Sequence, residues 1–359
     1  MRDPRTGHHS VGRGFLALTA SVAPRLLILR ALGLGDLLTA VPALRAIRAA
    51  RPDHHIVLAT HPRWAPLVEL TDAVDELLSL AGLNQELRWT GAPPELAVNL
   101  HGSGPQSHRL LAGIEPGELL AFGCAAARHV GPEWRPDEHE VRRWCRLVSQ
   151  GWSCPVDPGD LRLRRPEGID AQGVGLGSGG MRAGGVVVLH PGAAFPARRW
   201  PAERFAAVAR WAQARGLTVR ITGSAEERDL AGSVAGQSRL GPEAVLAGET
   251  SVDRLAALIC DARLVVSGDT GVAHLAFAYG TPSVTLYGPI SPVLWGPPAT
   301  GPHLALWYGV ASNQPFATTA DPGLLSIGSA AVIAAAAEVL AYGEADAGGT
   351  ASSRTRATT

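Results

Sequence analysis

Lysine is missing altogether: all 32 basic residues of this 359-residue chain are arginine. That absence excludes a P-loop NTPase of the usual kind, Schiff-base enzymes and pyridoxal enzymes, each of which needs a lysine amine. Excess charge of either sign is missing too. The 32 acidic residues bring the formal net charge to zero, which argues against a nucleic-acid binder, since phosphate contacts call for surplus positive charge. Cysteine is scarce. Cys124, Cys145, Cys154 and Cys260 form no CxxC pair, so a zinc knuckle, a redox dithiol and a disulfide scaffold are all disfavoured, and the thiols read as reduced in a cytoplasmic protein. Long apolar runs are lacking as well. Phe15–Ala23, preceded by Arg2, Arg5 and Arg13, is faintly like a signal peptide but is broken by Thr19 and Ser21, and a disordered extension over 1–24 is the better expectation. Ala330–Tyr342 is interrupted by Glu338 and is too short to span a bilayer. What remains is 46% hydrophobic and 18% charged residues, enough to build real cores, over a length that suits two domains.

The hydrophobic pattern alternates between strands and helices. Arg25–Arg30 is a continuous apolar run bounded by Pro24 and Gly33, the pattern of a buried parallel strand. A glycine turn follows, then one helical pattern over 37–50 with Pro42 in its first turns. Strands are expected at 56–60 and 96–100, a short helix over 64–70 and a helix around 142–148. The first half is thus placed at 25–156. The stretch 157–185, rich in glycine and proline without apolar period, reads as a linker. A second series occupies 186–325, with strands at 186–189, 217–222, 244–246, 264–267 and 283–287. Its helices fall at 202–215, 226–235, 252–260 (capped by Ser251) and 270–279. A C-terminal helix is expected over 326–342 and a disordered tail over 343–359. Such alternation means parallel, doubly wound α/β sheets: two Rossmann-like halves.

Four motifs carry chemistry, and each sits at the carboxyl end of a strand. Gly33-Leu-Gly-Asp36-Leu-Leu38 fails as a dinucleotide fingerprint, because Leu38 stands where the third glycine belongs and a carboxylate would repel a pyrophosphate there. Asp36 reads instead as a helix cap or a base facing a cleft. His190-Pro-Gly192-Ala-Ala194, followed by Arg198 and Arg199, offers backbone N–H groups and forked donors to an anion; the plainer reading is a solvated basic turn with Trp200 packed on the domain. Thr222-Gly-Ser-Ala-Glu226-Glu227 puts an acid where ribose hydroxyls are bound in nucleotide folds, or simply an acid at a helix start. Ser267-Gly-Asp269-Thr270-Gly271-Val-Ala-His274 opens a helix, with Asp269 as its cap, Thr270 and Gly271 as donors and His274 one turn in; a lone histidine on an apolar helix is more often structural.

Taken in order, GxGD with Val41-Pro-Ala-Leu44, then His-Pro-Gly-Ala with Arg-Arg-Trp-Pro-Ala-Glu-Arg-Phe, then Gly-Asp-Thr-Gly-Val-Ala-His and Leu286-Tyr-Gly-Pro289, the chain resembles glycosyltransferase family 9 over roughly 25–340. The family's best-known members look like ADP-heptose:lipopolysaccharide heptosyltransferases. The resemblance implies a GT-B fold: two facing Rossmann-like domains, acceptor on the first and nucleotide-sugar donor on the second, with a C-terminal helix able to cross back to the first. It implies that Asp36 is the general base. It also implies that Arg198, where the family often has lysine, contacts the donor phosphate. Asp269, Thr270, Gly271 and His274 then hold diphosphate and sugar, with His190 and Gly192 beside them, and Glu227 (or Glu226) holds ribose. Asn99 and His101 fall on the acceptor-side loop, where the family often has aspartate at the position of Asn99. The activity implied is inverting, metal-independent transfer of a heptose-like sugar from an ADP-linked nucleoside-diphosphate sugar, a co-substrate and not a cofactor, to a hydroxyl of a cell-envelope glycan or glycolipid. The place implied is the cytoplasm, with peripheral contact at the inner face of the membrane. No DxD-type metal motif is present. The competing expectation is a non-catalytic nucleotide-sugar-binding protein on the same fold; a nicotinamide dehydrogenase is disfavoured by Leu38 and by Ala59-Thr-His61, which lacks a ribose-binding acid.

Overall fold

Strand β1 (Arg25–Leu29) is apolar on both faces because both faces are covered: Leu26 and Ile28 enter one core, Leu27 and Leu29 another, all fully buried. The computed structural model describes residues 23–169, 185–309, 312 and 314–347. Residues 1–22 of the extension expected over 1–24, 170–184 of the linker expected over 157–185, and 348–359 of the tail expected over 343–359 lie outside the described residues.

After β1 the first half continues through α1 (Leu34–Thr39), α2 (Val41–Ala50), β2 (His55–Thr60), α3 (Ala65–Glu69), β3 (Glu76–Ser79), β4 (Leu96–Asn99), α4 (Gln106–Ala112), β5 (Glu118–Leu120) and α5 (Glu140–Trp152). Its five strands are all parallel, in the order β3-β2-β1-β4-β5. The second half runs β6 (Val186–His190), α6 (Ala202–Ala214), β7 (Thr218–Ile221), α7 (Arg228–Gln237), α8 (Val252–Asp261), β8 (Leu264–Gly268), α9 (Gly271–Tyr279), β9 (Ser283–Leu286), α10 (Pro292–Trp295), β10 (His303–Leu306), α11 (Pro322–Ser326) and α12 (Ser329–Ala347). It too is parallel, ordered β10-β9-β8-β6-β7. Helix α12 packs on α6 and over β8, β9 and β10.

Both orders reverse once. The reversal falls between β1 and β4 in the first sheet and between β6 and β8 in the second. In open parallel sheets a crevice opens outside the carboxyl ends of the strands at such a switch point, and ligands bind there.

Several elements differ from expectation. The single helix over 37–50 is two, parted at Ala40, because Pro42 has no N–H to continue the ladder and instead opens α2. The helix expected from Glu226 begins as a 3-10 turn, Ala225–Glu227, before α7. No strand forms at 244–246; a 3-10 turn and one isolated bridge, Ile221 to Val245, stand there. Short half-exposed strands such as β3 carry no apolar period and escaped the sequence reading, as did α4, β5, α10, β10 and α11. Helix α12 continues to Ala347, past the expected end at 342.

The described part of the linker, 157–169, is pinned to both halves. Leu163 is buried and donates its N–H to the Ala278 carbonyl of the second half (3.2 Å), while Arg164 donates its own to Leu70 of the first (3.1 Å). Arg45 binds Asp160, and Arg165 binds Asp261. One apolar cluster runs through both halves, from Leu37, Leu44 and Leu67 to Leu258, Ile259, Val272 and Leu275.

Candidate functional site

The two switch points face each other, joined by helices α1 and α9. Two glycines make this approach possible. A Cβ on Gly35 would lie 2.9 Å from the His274 ring, and one on Gly271 would lie 2.6 Å from the Leu34 Cβ. Small residues let the two backbones meet, and the carboxylate of Asp36 is thereby brought opposite the start of α9.

Asp36 is the third residue of α1. Its Oδ2 accepts from the Gly33 N–H at 3.2 Å, so it does cap the helix start, and its Oδ1 lies 3.5 Å from Arg30 Nη2. The side chain keeps 29% of its surface exposed, on the cleft. Burial of the carboxyl raises its pKa above the usual aspartate range; the Arg30 charge opposes that rise and Glu140 adds to it. Arg30 escaped the sequence reading as a site residue. The available signal was a charged residue directly continuing a fully apolar strand.

In the first half, Asn99 is fully buried and spent. Its amide donates to Ser107 Oγ (2.9 Å), lies 3.1 Å from His108 Nδ1, and its Oδ1 accepts the His101 N–H (3.0 Å). Asn99 therefore shapes the loop, and His101 is the residue of the pair that remains partly open to the cleft, its Nδ1 accepting from the Ala31 N–H at 3.3 Å. Burial, with Arg30 nearby, drives the His101 pKa down to about 4, so the ring is neutral.

In the second half, His190 Nδ1 pairs with Thr222 Oγ1 at 3.0 Å, and burial holds that ring's pKa below its usual value. The Glu227 carboxylate covers Gly192, where a Cβ would sit 2.1 Å from its Cδ, and accepts the Ser224 N–H at 2.8 Å. Glu226 is exposed. Arg198 Nη1 lies 3.7 Å from Asp269 Oδ2. Asp269 is not the helix cap expected from sequence: Thr270 stands at the N-cap of α9 without a side-chain capping bond. Asp269 is buried, and burial pushes its pKa up to about 6, against the pull of Arg198 and with the push of Asp36. His274 is buried against Phe277 and Trp295 at ring distances of 5.4 and 5.9 Å, and burial takes its pKa down to about 3. Trp200 packs in the core, its indole N–H on the Ile327 carbonyl.

Among the described residues, four buried polar atoms at this end of the sheet have no protein partner: Ser267 Oγ, Thr285 Oγ1 beside it, Thr270 Oγ1 and Arg198 Nε. Unpaired buried polar groups are costly unless a ligand or water satisfies them. With the N–H groups of Gly271 and Val272 in the first turn of α9, they form a donor-rich surface opposite the Asp36 carboxylate, the chemistry that suits an anion. Donors facing a carboxylate of raised pKa are chemically suited to group transfer from an anionic leaving group to a protic nucleophile. Among the described residues no group of three or more His, Cys, Asp or Glu is placed to hold a metal ion.

Residues 125–307 match the family model described as glycosyltransferase family 9 (heptosyltransferase). Lipopolysaccharide heptosyltransferase 2 of Escherichia coli K12 is 37% identical over 106 residues, 28% of this chain and 30% of that protein. Lipopolysaccharide heptosyltransferase 3 of Escherichia coli is 31% identical over 183 residues, about half of each chain (50% and 51%). At 23% identity, lipopolysaccharide heptosyltransferase 1 of Escherichia coli K12 aligns over 86% of this chain and 98% of its own. Among solved structures, the family 9 glycosyltransferase of Veillonella parvula superposes with a TM-score of 0.75 at 22% identity, covering 89% of this chain and 98% of that one. Escherichia coli heptosyltransferase WaaC with ADP superposes at 0.63 and 22%, covering 89% and 99%. At these identities the superpositions establish the fold: it is the GT-B architecture of the heptosyltransferases.

Proposed function

Since the chain belongs to glycosyltransferase family 9, and is a glycosyltransferase, we propose that it moves a heptose-like sugar from an ADP-linked donor to a hydroxyl of a cell-envelope glycan or glycolipid, with inversion and without a metal ion. The observation that carries this reading is the meeting of Asp36 with the α9 anion site across the α1–α9 contact. The donor diphosphate would lie against Thr270, the N–H groups beginning at Gly271, and Arg198, where the unpaired polar atoms find partners. Glu227, above Gly192, would accept from ribose hydroxyls, with His190 behind it. Asp269 and His274 would border the sugar, and His101, held by Asn99, the acceptor.

The reaction needs little else. An acceptor hydroxyl attacks the anomeric carbon from the face opposite the phosphate, and its proton passes to the Asp36 carboxylate. The new C–O bond forms as the bond to phosphate breaks, and that electron pair leaves with the diphosphate. Arg198 and the α9 N–H groups meet the charge that develops there, which supports a metal-independent route. Burial raises the basicity of Asp36, so the carboxylate is a better proton acceptor than one in water. Heptosyl relatives and the ADP complex of WaaC favour an ADP-heptose donor. No helix among the described residues is long and apolar enough to cross a membrane; we place the protein in the cytoplasm, in peripheral contact with the membrane that carries its acceptor.

The test is a melting-point screen with ADP-, GDP- and UDP-sugars, followed by turnover of ADP-heptose with lipopolysaccharide core acceptors, with and without EDTA. A selective shift by ADP-heptose and an EDTA-insensitive, inverted product are expected. A retained anomeric configuration, or a strict need for a divalent cation, would overturn the corresponding part of the reading.

A further inference from the structure

Behind Asp36 lies a buried ionic group that the reaction as drawn does not use. The Arg30 side chain is fully buried. Its Nε donates to the Asp36 carbonyl (2.8 Å) and its Nη1 to the Leu100 carbonyl. Its Nη2 reaches Thr39 Oγ1 (3.2 Å), Glu140 Oε1 (3.1 Å) and, at 3.5 Å, Asp36 Oδ1. The guanidinium also lies over the Trp144 ring, 4.7 Å from its centroid. Glu140, at the start of α5 and 110 residues further along the chain, is saturated in turn: Oε1 also accepts the Trp144 indole N–H (2.8 Å), and Oε2 binds Arg143.

Burying this much charge is expensive, and apolar replacements of such groups are often as stable. Packing gives no need for an ion pair here. What the pair does is set the surroundings of one carboxylate. We propose that Arg30 and Glu140 are a positioning pair for Asp36: Arg30 clamps the turn that carries the carboxylate, and Glu140 cancels enough of the Arg30 charge to leave that carboxylate a competent proton acceptor. This rests on the reading of Asp36 as the base. Arg30 alone, 3.5 Å away and shielded from water, would hold Asp36 ionised but weakly basic. Glu140 works in the opposite sense on the same group. The other titratable groups around α1 are His101 from the β4 loop, Arg143 and His139 from α5, and Asp269, His274 and Arg198 from the second half. None of these bonds Arg30 as Glu140 does.

The test reads Asp36 itself. In full-length protein carrying 13C-carboxyl aspartate, the Asp36 resonance is identified by its loss in Asp36→Asn and titrated. Glu140→Gln keeps the shape and removes the charge, so the midpoint should fall by about one pH unit. In the double variant Arg30→Gln with Glu140→Gln it should return toward the wild-type value. A folded Glu140→Gln protein, judged by its melting curve, with an unmoved midpoint overturns the proposal. Arg30→Lys is the second arm: it keeps the charge but loses the fork, and turnover of ADP-heptose should drop roughly tenfold or more at unchanged donor KM. Unchanged turnover in Arg30→Lys overturns the clamp. If Asp36→Asn retains full turnover, the base reading fails on its own ground, whatever the titration shows.

Discussion

Asp36, Arg198 and Asp269 each sit where burial and charge compete, and each gives a measurable consequence. Replacing Asp36 by Asn removes the proposed base but little else, since the amide oxygen can still accept the Gly33 N–H. Turnover should fall roughly a hundredfold or more, with the melting point and nucleoside-diphosphate affinity nearly unchanged. Equal turnover in variant and wild type would end that assignment. Arg198→Ala should weaken ADP by about 1.5–3 kcal/mol, the range for hydrogen bonds to charged groups, while adenosine binds both proteins alike. Calorimetry with the two ligands separates these outcomes; an equal loss for adenosine would mean that Arg198 does not act on the phosphates. Asp269 gives a pH signature. Its folded pKa, about 6, lies above the unfolded value, so the folded chain holds the proton more tightly. Stability is therefore greatest at low pH in this respect, and declines as pH rises from about 4 through 6, by about 3 kcal/mol for two pKa units. Asp269→Asn should melt higher than wild type at pH 8 and converge with it near pH 4. A melting difference that does not vary with pH would contradict this.

At the scale of elements, the decisive contact is α1 on α9. Helix α1 is only six residues long and cannot stand by itself; it is held by Trp64, whose indole N–H donates to the Leu32 carbonyl (3.0 Å), and by the glycine faces of Gly35 and Gly271. A methyl at Gly271 meets the Leu34 side chain at its root, where rotation gives no relief. Gly271→Ala should therefore cost about 1–3 kcal/mol by overpacking. It should also part Asp36 from the proposed anion site, lowering turnover more than donor affinity. Steady-state kinetics beside calorimetric ADP binding checks this. An equal fall in both would locate the damage in the anion site and not in the contact between helices.

Over the whole molecule, the halves share one apolar cluster and a pinned connecting strap, and His139 reaches Gly296 of the other half at 3.2 Å. Elements that share a core unfold together. Scanning calorimetry should show one transition whose calorimetric and van't Hoff enthalpies agree, and ADP should shift it as a whole. Two resolved transitions, only the later one moved by ADP, would mean that the halves melt independently. The division of the chain into an acceptor half and a donor half is our proposal; binding of ADP confined to residues contributed by the second half would support it.

Much of the architecture was legible in the chain. Short apolar runs such as Arg25–Leu29 and Leu264–Gly268, flanked by glycine or proline, read as strands covered on both faces, and their alternation with helical periods points to parallel α/β halves. The glycines, acids and arginine at the strand ends were equally visible, because chemistry selects residue types locally. Short edge strands such as β3, with both ends exposed, were not visible, since they bury too little to impose a period. Nor was the state of each site residue. Asn99 and His101 stand two apart in sequence, yet one is consumed in the core and the other borders the cleft. Arg30 and Glu140, separated by 110 residues, become neighbours only when α5 packs on α2. Strand order, the facing of two switch points, and the pKa of Asp36 and Asp269 belong to the tertiary structure alone. Each depends on which distant groups exclude water from a charge, and local sequence carries no record of that distance.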